Sequence, residues 1–510
     1  MRRTSVFGAT RPQPATGPEQ VSDDNRQLAD LGYEPVLARR MGGFGNFAVS
    51  FSVISVLGGC MALYGPGLIA GGPAVMLWGW AVVGFFVLFV GMALAEVTSA
   101  YPTSGAMFYM ADQLGGRRWG FYTGWLNLLG LIGGIAVIDY GAALFTGAVL
   151  DLQWGIAVTP EETMVIFVAI LLFHAALNLA GVRLVSVLNS ISVWWHLAGV
   201  AVILGVLWIA PDSHQPASFV LGEFSNGTGW ANPLYVTGIG LAIAQGTLVG
   251  YDASAHMSEE TSRAAVSAPR GIVRSIWVSW AVGFVLLASM ASAIQDYATT
   301  AASPVPPAQI FVDAVGTDGA TLLLAVVIVV LLCGGNAEIA AGSRMVFAFS
   351  RDGALPGSGL WRQLSRSQTP HLAVWLVVAA ACLITLPSLY SPTAFTAVSA
   401  INIIGMTPAY AIPIFLRLRH GSRFRKGPWH LGRWSRPVGW IAVIWVGFVT
   451  VLFCLPQRDP VTVETFNYAP VALVAVLLLA ELRWPFARRA YNPPTPTPAA
   501  QDRAHVEEFI

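Results

Sequence analysis

Charge is scarce in this chain. Of its 510 residues 11% are charged and 55% hydrophobic, and the mean hydropathy is +0.63. Soluble domains carry about 25% charged residues, so the composition excludes a soluble fold and indicates an integral membrane protein whose partner is the lipid bilayer. Lysine is almost missing: Lys426 stands alone against 27 arginines, a bias that points to a bacterial plasma membrane. A net charge of +1 offers nothing to a nucleic acid. Cys60, Cys333, Cys382 and Cys454 are isolated within apolar stretches, which argues against a disulfide framework and against a close-spaced zinc site. No metal and no cofactor is expected. HExxH and GxSxG patterns and a nucleotide loop are lacking as well, so the chain does not read as an enzyme. The first 40 residues contain no apolar core of the signal-peptide kind, and TRPQPATGPEQ reads as disordered.

Long apolar runs are what the chain has. A span needs about 20 apolar residues, and twelve runs qualify, at about 45–70, 74–99, 119–149, 163–181, 184–210, 233–257, 271–295, 319–347, 370–390, 393–416, 438–456 and 466–484. With the N-terminus inside, 27 of the 28 Lys and Arg residues fall in inner segments or inner helix ends, and Arg458 alone falls outside. That partition places both termini in the cytoplasm. It divides the chain into a partly disordered N-terminal tail (1–44), a first repeat (45–210), a second repeat of opposite orientation (233–419), two further helices (438–484) and a Pro-rich C-terminal tail (485–510).

Two of these runs are interrupted by glycine: SVISVLGGCMALYGPG (Ser52 to Gly67) and AIAQGTLVGYDASAH (Ala242 to His256). Glycine weakens helix, and unwound backbone at membrane depth survives only beside a cavity or buried in protein. One interruption opens each half of the chain, in opposite orientations, as in secondary transporters built from inverted repeats. Glycine also serves helix packing. For Gly58, Gly59, Gly246 and Gly250 the mid-span depth and matched positions favour a break. A channel would need a continuous polar pore instead.

The segments SVLGGCMALYGPGLIAGGPAVMLWGW, ALAEVTSAYPTSGAMFYMA, GYDASAHMSEET and GSRMVFAFSRDGALP occur in order on these spans. Together they resemble the amino acid–polyamine–organocation superfamily, nearest its amino acid/choline branch of GABA and other amino acid permeases. The resemblance covers nearly the whole chain outside the tails. It implies an all-α membrane protein of twelve helices, a five-plus-five inverted repeat with helices 1 and 6 broken, and a site between them walled by helices 3, 8 and 10. It implies a secondary transporter of an amino acid or related amine. Proton coupling is the first expectation and exchange the next. A choline- or polyamine-type exchanger and a non-transporting sensor on the same fold remain as alternatives, and the oligomeric state is not indicated.

A zwitterionic substrate needs backbone N–H groups for its carboxylate and freed carbonyls for its ammonium. The candidates are Ser55, Gly58, Gly59 and Cys60 in helix 1, and Gln245, Gly246, Thr247, Val249, Gly250 and Tyr251 in helix 6. Tyr251 takes a gating role by resemblance. Charged groups within spans are functional candidates by default, which adds Asp252, Asp139 and Glu338 for coupling or gating, together with Asn336. Asp252 has three readings: a helix cap, a partner for an arginine, or a proton carrier. Asn336 and Glu338 lie roughly 200° apart on one helix, so only one of them faces a central site. The run NAEIAAG departs from the family pattern of small neutral or hydroxyl residues, so Glu338 marks a substrate with an extra cation or a site for the coupling proton. Glu259 and Glu260 are expected to pair with Arg263 or other inner cations. His174 and His196 read as structural rather than as a relay.

Overall fold

The computed structural model describes residues 18–366, 368–391 and 393–494. Among the described residues all regular structure is helical, as an apolar solvent demands, because a helix satisfies its own backbone groups. In chain order the α-helices are α1 (Pro18–Asp30), α2 (Gly43–Ile54), α3 (Val56–Ala62), α4 (Tyr64–Ile69), α5 (Gly72–Ala100), α6 (Ala106–Gly115) and α7 (Arg117–Trp154). Then come α8 (Pro160–Leu179), α9 (Val182–Ile209), α10 (Ala217–Gly222), α11 (Pro233–Gly240), α12 (Ala242–Thr247) and α13 (Ala253–His256). The last are α14 (Ala264–Ser292), α15 (Tyr297–Ala302), α16 (Pro306–Arg351), α17 (Ser358–Trp361), α18 (His371–Thr385), α19 (Ala394–His420), α20 (Ser435–Cys454) and α21 (Ala469–Ala490).

Among the described residues eleven helical segments are long and apolar enough to cross a membrane. The difference from the twelve expected runs lies at 233–257. There the chain is divided among α11, α12 and α13, none of which reaches the length of a span. Residues 306–315 open α16, which bends where Gly316 leaves the helical region at φ 71° and ψ −179°.

The centre of the bundle is α7. A side chain on Gly130 would run into the backbone of Met406, and one on Gly133 into that of Asn402, both on α19. Gly124 abuts Phe349 of α16 in the same way. Small residues here let helices approach to backbone distance. At the periphery, only 11% of the apolar window of α21 is buried, against 78% for α7, and Trp194 and Trp195 on α9 are exposed.

Both ends of the described chain lie at one end of the bundle, the terminal face. The N-terminal stretch is ordered there. Glu260 O accepts the N–H groups of both Arg40 and Met41, Tyr109 donates its hydroxyl to Leu31 O, and Arg39 Nη1 donates to Thr261 O at 2.7 Å. These polar contacts carry no hydrophobic period and so leave no mark in the sequence pattern. Of TRPQPATGPEQ, residues 18–20 begin α1 and the rest lie outside the described residues. At the other end Tyr491 is buried and Asn492 N–H donates to Asp352 O. The remainder of the Pro-rich tail lies outside the described residues.

Candidate functional site

Two interruptions meet in the middle of the bundle. The first falls at Ser55, which sits between α2 and α3 in the left-handed region at φ 45° and ψ 57°. The second is the non-helical stretch from Leu248 to Asp252 between α12 and α13, where Gly250 has φ 85°. This corrects the expected role of three glycines. Gly58 and Gly59 lie inside α3 and Gly246 inside α12. Each is a contact residue: a Cβ on Gly58 would strike Leu331 and Ser55, one on Gly59 would strike Thr247, and one on Gly246 would strike Leu63. Only Gly250 is a glycine that the backbone path itself requires.

A polar seam joins the two segments. Ser50 Oγ donates to Tyr251 O at 2.6 Å, Ser254 N–H donates to Ser50 Oγ, and Asn46 Nδ2 donates to Ser254 O. Beside the seam lies a cavity of about 30 Å³. That volume holds a water or two, so nothing larger fits unless the walls part. Of the expected site residues, Ser55, Gly59, Gly246, Thr247, Val249, Gly250 and Glu338 line this cavity. Gly58, Cys60, Gln245, Tyr251, Asp252, Asp139 and Asn336 do not. Gln245 Oε1 accepts from Trp445 Nε1, and Tyr251 packs on Tyr410 with ring centroids 4.8 Å apart. Asn336 turns to α8, where its Oδ1 accepts from Asn178 Nδ2 at 2.9 Å. The sequence reading missed Asn402 of α19, and also Gly134, Val137 and Ile138, whose i, i+3, i+4 spacing marks one face of α7.

Three buried carboxylates surround the cavity. Asp139 of α7 and Glu338 of α16 are seated reciprocally, each over a glycine of the opposite helix: Asp139 over Gly335, and Glu338 over Gly134. Asp139 Oδ2 lies 3.1 Å from His174 Nδ1, and its Oδ1 has no hydrogen-bond partner. Glu338 Oε2 also lacks one and faces Gly250. Asp252 Oδ1 accepts from Tyr410 Oη at 2.6 Å, and Oδ2 is 3.4 Å from Asn127 Nδ2 and 3.2 Å from His256 Nε2. The Asp252 side chain does not cap α13 and pairs with no arginine among the described residues. His196 holds the first interruption, with Nε2 3.2 Å from Ser55 Oγ.

Between the cavity and the terminal face the packing is thick and charged. Arg344 Nε donates to Glu260 Oε1 at 3.0 Å, and Arg351 binds both oxygens of Glu259 at 2.9 and 3.0 Å. Of the expected inner cations, Arg344 and Arg351 make these pairs, whereas the backbone N–H of Arg263 donates to Asp24. Burial raises the Glu259 carboxyl, but the Arg351 guanidinium and the Ser104 N–H outweigh it and hold the group below the usual carboxylate range. The Arg351 guanidinium lies 3.8 Å over the ring of Tyr33, and Tyr33 Oη donates to Asp352 Oδ2 at 2.6 Å.

Burial pushes Asp352 up to about 7, against the lowering effects of Arg351 and Tyr33 and with smaller raising effects of Glu259 and Asp112. A carboxyl raised on folding adds stability that is complete below its unfolded value of 3.8, declines as pH rises, and is gone above about 7. Asp352→Asn, neutral at every pH, is expected to lose that dependence. Its melting temperature should fall a few degrees less than the wild type's between pH 4 and 7. Parallel melting curves would show that Asp352 does not titrate in this window.

At the far face the chain is open. A vestibule of about 570 Å³ lies between the ends of α4, α7, α8 and α19 and the segment after α20. Tyr140, Phe395, Thr163 and Asn467 line it, and Arg458 is the only charged residue in its lining. Tyr140, packed on Phe395 and Phe167, stands one turn beyond Val137 of the cavity.

The family model described as amino acid permease matches residues 42–478. The amino-acid permease BAT1 of Arabidopsis thaliana is 36% identical over 91% of this chain and 94% of its own length. Amino-acid permease 2 of Neurospora crassa is 32% identical over 96% of this chain and 92% of its own. The GABA-specific permease of Saccharomyces cerevisiae is 28% identical over 92% and 85%. These relatives are plant and fungal, so the bacterial origin suggested by the arginine bias finds no support in them. All are named as permeases rather than as enzymes. A helical bundle of membrane-spanning length, a family match over most of the chain and near-complete coverage of named permeases lead to one conclusion: this chain belongs to the amino acid permease family of the amino acid–polyamine–organocation superfamily.

Proposed function

We propose that the chain moves an amino acid across the membrane by alternating access, coupled to protons. In this reading 233–257 is the sixth of twelve spans, 45–210 and 233–419 are inverted repeats, and both termini are cytoplasmic. The observation that carries it is the asymmetry around the central cavity. Ser55 and Leu248–Asp252 interrupt two facing segments beside a cavity of about 30 Å³. Charged pairs close the terminal face, whereas about 570 Å³ lies open at the far face. The conformation is then an outward-facing one with the substrate site shut. Backbone groups released at the two interruptions take the substrate carboxylate and ammonium. Thr247, Val249, Gly250 and Asn402 give the cavity its shape, and Tyr140 closes the far side. The names of the relatives support an amino acid as the cargo, and the GABA-specific relative supports a small amine-bearing one.

The test is uptake by proteoliposomes. Labelled amino acids, polyamines and choline are offered with and without an inward proton gradient. Amino acid uptake stimulated by the gradient is the expected result. Flux of none of these compounds sinks the transport reading, and flux that needs internal amino acid but no gradient replaces coupling with exchange.

A further inference from the structure

The acids at the centre outnumber the cations available to them. Asp139, Glu338 and Asp252 are all buried, and none forms an ion pair with arginine or lysine among the described residues. The titratable bases beside them are His174 of α8, against Asp139, and His256 of α13, against Asp252. From the neighbouring elements, α19 adds Tyr410 and the unwound stretch adds Tyr251, both neutral phenols packed on each other. The nearest guanidinium towards the terminal face, Arg344, is engaged by Glu260. Buried charge of one sign without a partner is costly, so this cluster must hold protons.

Hydrogen-bond direction locates one of them. His256 Nδ1 is 3.0 Å from Ser104 O, and a carbonyl oxygen only accepts, so Nδ1 carries a hydrogen. Tyr410 Oη accepts from Gly250 N–H at 3.2 Å and spends its own hydrogen on Asp252 Oδ1. What remains is His256 Nε2 facing Asp252 Oδ2 at 3.2 Å, off the axis of a straight hydrogen bond. Without a proton there, lone pair would face lone pair in a dry core. One proton is therefore held by this pair, on the imidazole or on the carboxyl.

We propose that Glu338 and the Asp252–His256 pair are two stations of one proton-binding site, set on either side of the unwound residues 248–251. Glu338 is the station on the cavity. Its unpartnered Oε2 faces Gly250, whose N–H is tied to the tyrosine that serves Asp252. The Asp252–His256 pair is the station nearer the terminal face. When residues 248–251 rearrange, the pair gives up its proton towards the terminal face and the proton of Glu338 takes its place, with no other bond made or broken. Ser104 carries the consequence onward: its carbonyl accepts from His256, and its N–H donates to Glu259 Oε1 at 3.0 Å, the acid that Arg351 holds. A change in the charge of His256 therefore acts on the closure of the terminal face through one residue. Asp139 and His174 form a separate pair on the far side of Glu338.

The inference rests on the transport reading, and full-length chain in proteoliposomes tests both. Uptake of labelled amino acid is measured as gradient-driven accumulation and as counterflow without a gradient. In Glu338→Gln and in His256→Gln, gradient-driven accumulation is expected to fall at least tenfold further than counterflow, with partial recovery in Glu338→Asp. Should Glu338→Gln fail to fold, His256→Gln, which lies outside the cavity lining, carries the test. Folded variants that lose both modes equally, or that keep gradient stimulation, overturn the proposal. So does a Glu338→Gln defect confined to substrates with a second amine, which would make Glu338 a cation subsite. Wild-type counterflow without gradient stimulation overturns the proton site and leaves amino acid transport standing. Absence of both modes in the wild type removes the transport reading as well.

Discussion

Replacing Gly250 with valine is expected to reduce uptake at least about 100-fold while the protein still folds. At φ 85° a β-branched residue is an outlier, and such strain costs about 1–3 kcal/mol. The new Cβ would also overlap Val53 Cγ1, on the opposite wall of the cavity. Relief requires the unwound stretch to change path, which moves Val249 and the carbonyls beside it. The helices around the stretch keep their own contacts, so the loss should show in flux and not in the elution of folded protein. Gly205→Ala on α9, where a Cβ meets nothing within 4 Å, is the control and should transport normally. Normal uptake by Gly250→Val would remove residues 248–251 from the site.

The second large effect is expected at the terminal face. Arg351→Met leaves Glu259 buried without its bidentate partner, and breaking a buried pair in this way costs about 3–5 kcal/mol. If opening the face lets water reach Glu259, the cost falls on the closed conformation alone. The equilibrium then shifts about 10²–10³-fold towards opening. A cysteine introduced at the buried Ser258 reports it: thiol labelling should be slow in the parent and faster by a comparable factor in the variant. Adding Glu259→Leu should restore most of the protection, because an apolar pair of similar volume removes the stranded charge. Unchanged labelling would mean that this pair does not hold the face shut.

The membrane class and most of the span limits were legible in the sequence, because apolar length is a local property. Which glycine unwinds a helix was not. Gly59 and Gly250 look alike in the chain, yet Gly59 is a glycine because Thr247 lies against it, and Gly250 because its own φ demands it. The first property belongs to a contact between helices distant in sequence, and only the second belongs to the backbone. The non-glycine break at Ser55 gave no signal at all, since the side chain that holds it, His196, is 141 residues away in the chain. Glu338 and Asn336 stood as alternatives because helical geometry excludes their sharing a face but does not orient the helix. The neighbours that orient it, Gly134 on α7 and Asn178 on α8, follow only from the fold. The order of residues 31–41 was not legible for a related reason: it comes from carbonyls such as Glu260 O, more than 200 residues away.

The reciprocal seating of Asp139 on Gly335 and of Glu338 on Gly134 also bears on which parts of the molecule move. Each acid fills a notch that exists only where the opposing helix has no side chain, so α7 and α16 interlock at two points. The backbone contacts of Gly130 and Gly133 lock α7 to α19 in the same manner. Three helices thus interlock through the middle of the bundle, and under the proposed alternating access the displacement falls to the short pieces on either side of Ser55 and Gly250.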